Sequence, residues 1–96
     1  MFKTKADAGR CNLCGKNVYR IRKAKLPKMS QRALADKLQL YGMDVDKNAV
    51  QRIECGKRFV TDIELVALSL ALEAPLEALL TPQEEETITP ALDNIV

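Results

Sequence analysis

Apolar residues recur along this chain at spacings of three and four and nowhere alternate with polar ones, which predicts helices and argues against sheet. In "NLCGKNVYRIRKAK", Cys14, Val18 and Ile21 share one face, Asn12 is placed to cap the first turn, and the segment ends before Pro27. Ser30 caps a second helix over "QRALADKLQL", where Leu34 and Leu38 form the stripe and Ala35 leaves room for a close neighbour. Gly42 stops or turns it. Asp46 caps a third helix of about two turns, with Val50 and Ile53 facing inward and Gly56 supplying a left-handed residue at its end.

A fourth helix is expected after Thr61 or Asp62. Ile63, Val66, Ala67 and Leu70 occupy one side, and Leu65, Leu68 and Leu72 widen the stripe, so this helix is expected at the buried centre. Pro75 suits the opening turn of a short fifth helix, "PLEALL", expected to lay Leu76, Leu79 and Leu80 over the core. The remaining "TPQEEETITPALDNIV" has two prolines and an acid run and reads as a mobile tail, with Ile88, Leu92 and Ile95 positioned to dock on a partner.

Composition narrows this to one small all-α domain. The chain has 96 residues, 47% hydrophobic and 29% charged, with no Trp, enough for a single core. The predicted organisation is a basic N-terminal arm over 1–11, a helical domain over 12–80 and an acidic tail over 81–96. No apolar run approaches the ~20 residues of a membrane-spanning helix, and "MFKTKADAGR" lacks the apolar stretch of a signal peptide, so a cytoplasmic protein with no membrane partner is expected.

Charge is sharply divided. All 15 Lys and Arg lie in residues 1–60 against five acids, a balance of +10, whereas residues 61–96 hold eight acids and no base. A basic half of this kind is the footprint of a polyanion binder, because neutralising phosphates releases condensed counterions; a merely solvated basic face is the other reading.

Candidate reactive chemistry is sparse. Cys11 and Cys14 form one C-x-x-C, but a structural zinc site needs four ligands, only Cys55 remains, and there is no His. Cys14 falls on an apolar helix face, where a free cysteine acts as a small hydrophobe. With no His general base, glycine-rich phosphate loop or paired carboxylates, no catalytic residue, metal, cofactor or small-molecule ligand is expected, and the chain is not read as an enzyme.

"SQRALADKLQL" followed across a turn by "DKNAVQRIECGKR" resembles the helix-turn-helix of the phage repressor and Cro family, also called XRE-like. The shared marks are Gln31, the Leu34-Ala35 pair, Val50, Ile53, Glu54 and Gly56, within a resemblance covering roughly residues 12–80. It implies an all-α five-helix bundle whose second and third helices form the motif, and a sequence-specific DNA-binding regulator, bacterial or phage-encoded, with the third helix in the major groove. Two departures stand out. Eight residues separate Leu38 from Lys47 where the family has a turn of three or four, so the second helix runs longer or the turn bulges; "KLPKM" is also longer than usual and adds Lys25 and Lys28.

On that resemblance Lys47, Asn48, Gln51 and Arg52 become candidates for base edges, and Ala49 for a thymine methyl. Gln31, Lys28, Lys57 and Arg58 become candidates for phosphate. Glu54 would repel DNA unless turned inward, and the resemblance implies a structural ion pair with Arg22. One such unit reads few base pairs, so a homodimer on a pseudo-palindromic operator is expected, with repression by occluding a promoter as the outcome. Two readings stand beside it: a protein-interaction module on the same scaffold, and a thiol- or metal-responsive regulator using Cys11, Cys14 and Cys55.

Overall fold

Side-chain capping fixes where the middle helices begin. The computed structural model describes residues 9–82, whose regular structure is five helices: α1 (Gly15–Lys23), α2 (Gln31–Leu40), α3 (Lys47–Glu54), α4 (Asp62–Leu72) and α5 (Leu76–Leu80). Ser30 Oγ accepts the Ala33 N–H at 3.0 Å and Asp46 Oδ1 the Ala49 N–H at 2.8 Å. Thr61 and Glu64 bond each other reciprocally, side chain to backbone, at 3.1 and 3.2 Å. Each such cap contributes about 1 kcal/mol by satisfying helix N–H groups that lack an intrahelical partner. Most of the expected basic arm, and all but the start of the acidic tail with Ile88, Leu92 and Ile95, lie outside the described residues.

The ends of α2 and α3 repeat one motif. Gly42 and Gly56 adopt φ of +88° and +79°. Met43 N–H then returns to Leu38 O at 3.0 Å, and Lys57 N–H to Arg52 O at 2.8 Å, closing the last turn in both cases. Helix α2 runs on to Leu40, which shortens the connection to α3 to residues 41–46. That connection is packed from within: Met43 and Val45 are buried, and Gln39 donates to the Val45 carbonyl at 2.8 Å.

The start of α1 differs from expectation. The helix begins at Gly15 rather than beside Asn12, because the Asn12 side chain closes the entering turn by accepting the Gly15 N–H at 2.7 Å. The same amide donates to the carbonyls of Ile53 and Arg58 at 3.1 and 2.7 Å, tying the entry of α1 to the end of α3. Gly15 sits so close to α3 that a Cβ there would overlap the Ile53 carbonyl oxygen.

Val18 of α1, Leu34 and Leu38 of α2, Val50 and Ile53 of α3, Leu68 and Leu72 of α4 and Leu79 of α5 form one fully buried core. Helix α2 packs on both α3 and α4, and α1 on α3, α4 and α5. Helix α4 is turned differently from expectation: its inward side is Ala67, Leu68, Ala71 and Leu72, while Ile63 is 79% exposed and Val66 and Leu70 are half exposed. A helix apolar on every side gives its periodicity no phase, and the small Ala67 and Ala71 present the side that approaches its neighbours most closely. In α5 only Leu79 is fully buried; one short turn has a single inward direction, which leaves Leu76 and Leu80 partly exposed.

This packing predicts that Leu68→Ala costs about 2–5 kcal/mol in urea unfolding, by cavity formation. Leu40→Ala, at the exposed end of α2, is expected to stay within about 0.5 kcal/mol of the parent in the same measurement.

Candidate nucleic-acid interface

Helix α3 divides cleanly into two faces. Ala49, Val50, Ile53 and Glu54 are buried, and Lys47, Asn48, Gln51 and Arg52 are exposed. The outward side chains fall in two rows one turn apart, Lys47 with Gln51 and Asn48 with Arg52. They bear two cations, two amides and no acid. Ala49 departs from its expected role: it is 5% exposed and packed into the core, which removes it from any contact with a thymine methyl.

The acid of α3 is held from inside. Glu54 accepts from Arg22 Nε at 2.7 Å and Nη2 at 3.1 Å, a two-pronged pair with side chains only 7% and 4% exposed. Arg22 Nη1 donates to the Met29 carbonyl at 3.0 Å, and the Arg22 guanidinium lies 5.5 Å from the Tyr19 ring centroid. The implied Arg22–Glu54 pair is therefore present. Gln31, expected at phosphate, instead donates Nε2 to Glu54 Oε1 at 2.9 Å, joining α2 to the same carboxylate.

Arg58 is likewise drawn away from its expected phosphate role. Its two terminal nitrogens each lie 3.2 Å from a Glu64 carboxylate oxygen. Partial burial opposes ionisation of Glu64, but hydrogen bonds from Arg58 and Thr61 outweigh it and hold the carboxyl below the usual range. Lys28 and Lys57 remain exposed. Arg10, within the expected arm, donates to the Glu54 carbonyl at 2.9 Å and lies against Gly56, covering the end of α3.

Arg32 is among the outward cations that have no role in the expectations above. This second residue of α2 is exposed and lines an open cleft of about 330 Å³ together with Asp36, Gln39, Asp46, Lys47 and Asn48. Sequence alone shows Arg32 only as a polar position of α2; its placement opposite Asn48 follows from how α2 and α3 pack.

The three thiols have unlike surroundings. Burial pushes Cys14 up to about 11, leaving it a neutral thiol at pH 7, whereas Cys55 is exposed and Cys11 intermediate. Among the described residues no group of three Cys, Asp or Glu stands close enough to hold a metal ion, and no helix is long and apolar enough to cross a membrane. No protein-family model, curated protein or solved structure matches this chain.

Breaking the buried pair is expected to be severe. Arg22→Met or Glu54→Leu alone leaves one charge uncompensated and should cost about 3–5 kcal/mol in urea unfolding, while the double variant should recover most of that loss.

Proposed function

We propose that this protein is a sequence-specific transcriptional regulator that binds double-stranded DNA, with α2 and α3 acting as a helix-turn-helix of the phage-repressor type. One observation carries the reading: every exposed side chain of α3 from Lys47 to Arg52 can donate to a base or a phosphate, and the helix's acid is turned inward and neutralised by Arg22. A helix of this kind fits the major groove, where Asn and Gln pair with adenine and Lys and Arg with guanine.

Within this reading Lys47, Asn48, Gln51 and Arg52 face base edges, and Lys28 and Lys57 grip phosphate. Gln31 and Arg58 serve a different end, holding the scaffold through Glu54 and Glu64. The cationic residues would steer DNA to this face. No catalytic step, cofactor or small-molecule ligand enters the proposal.

Two copies are needed for a pseudo-palindromic operator, with half-sites about 34 Å apart. The exposed Ile63, Val66 and Leu70 stripe of α4 is the surface the reading assigns to that pairing. Repression by promoter occlusion, in the cytoplasm where the DNA lies, is the simplest outcome.

Selection from a randomised DNA pool at two salt concentrations tests the reading. An inverted repeat should emerge, and Gln51→Ala should relax defined positions within it by about 1–3 kcal/mol. Salt-sensitive binding with no enriched sequence would leave only a basic surface, and no binding at either salt would favour a protein-interaction module. In sedimentation the parent should be dimeric and Val66→Glu monomeric, with its helical circular dichroism unchanged.

A further inference from the structure

Arg32 is exposed, and among the described residues it takes part in no ion pair or side-chain hydrogen bond, although Asp36 follows one turn later on the same helix. Its neighbours are committed elsewhere: Ser30 caps α2 through the Ala33 N–H, and Gln31 is turned to Glu54. Packing of α2 on α3 brings Arg32 to the same cleft as Lys47 and Asn48. The cleft has no net charge to hold a phosphate. Arg32 and Lys47 line it together with Asp36 and Asp46, so the two cations are offset, and although Asp46 Oδ1 is taken by the Ala49 N–H, the carboxylates oppose a phosphate by charge repulsion.

A neutral base edge meets no such repulsion. A guanidinium offers two parallel N–H donors whose spacing matches the O6 and N7 acceptors of guanine, and a carboxylate accepts from the N4 amino group of the paired cytosine. Resting on the DNA-binding reading above, we propose that Arg32 is a specificity-determining residue on α2 that reads the guanine of one G·C pair in each half-site, beside the base pairs read by α3.

The test is the pool selection repeated with the full-length parent, Arg32→Ala and Arg32→Lys, with affinities for the recovered site measured across salt. Thermal unfolding checks that each variant is folded, which the exposure of Arg32 leads one to expect. The parent motif should hold a G·C pair preferred roughly 5- to 150-fold over the other pairs. Arg32→Ala should lose that preference and Arg32→Lys should weaken it, because a lysine retains the charge but not the planar fork, and both should keep the positions governed by Gln51. Variants that keep the full motif, whether affinity is unchanged or falls uniformly on all sequences with a salt slope shallower by about 0.9 for Arg32→Ala, would overturn the assignment and leave DNA recognition standing. Absence of any motif with the parent protein would overturn both.

Discussion

Glu54 is a carboxylate taken out of water at the end of a helix, and its burial is tolerable only because three donors converge on it. Desolvating such a charge costs several kcal/mol, which Coulomb attraction offsets only when geometry is good and the remaining lone pairs are occupied. Arg22 supplies two of the donors from α1 and Gln31 the third from α2. The planar guanidinium fork fixes both distance and angle in a way a lysine would not. Three helices are thereby referred to one point, and the orientation of α3 is set by charge as well as by Val50 and Ile53 beneath it.

A second set of bonds closes the far side of the same helix end. Asn12 takes two carbonyls, those of Ile53 and Arg58, and Arg10 takes the carbonyl of Glu54, while the Cys11 N–H donates to Gly56 O at 2.7 Å. Carbonyls at a helix C-terminus have no intrahelical partner and carry partial negative charge, so amide and guanidinium donors are well matched to them. The fit leaves no room at Gly15, where any side chain would displace the Ile53 carbonyl. With its C-terminal end held by Arg10, Asn12 and Arg22, α3 is a short helix made rigid by groups from outside it.

What could be read beforehand divides along physical lines. Ser30, Asp46, Gly42 and Gly56 act within their own turn, so their chemistry is visible in a few consecutive residues, and the structure places each where local rules put it. Helix α4 has no such signal in its interior: Ile63, Val66 and Leu70 are as apolar as Leu65, Leu68 and Leu72, and only packing decides which row is covered. Asn12 and Gln31 were legible as helix-start residues but not as bridges to Ile53 and Glu54, because those partners lie 41 and 23 residues away. Ala49 shows the same limit on a smaller scale. On a two-turn helix one small residue beside Val50 fits either face, and the core took it.

The arrangement sorts the basic residues around α3 into two groups. Glu54 engages Arg22 and Glu64 engages Arg58, so each of these carboxylates keeps one guanidinium for the scaffold. Arg32, Lys47, Arg52 and Lys57 are exposed and have no such partner among the described residues. A net charge counted along the chain mixes the two groups and overstates the free positive surface, since paired guanidiniums contribute little field beyond a Debye length of about 8–10 Å. What remains is a narrower band of positive charge on α2, on α3 and just past its end. Asp36 and Asp46 stand in the cleft with Arg32 and Lys47, so the charge of the band is offset along that stretch. The placement of a few acids, more than the number of bases, decides which chemistry each part of this surface can hold.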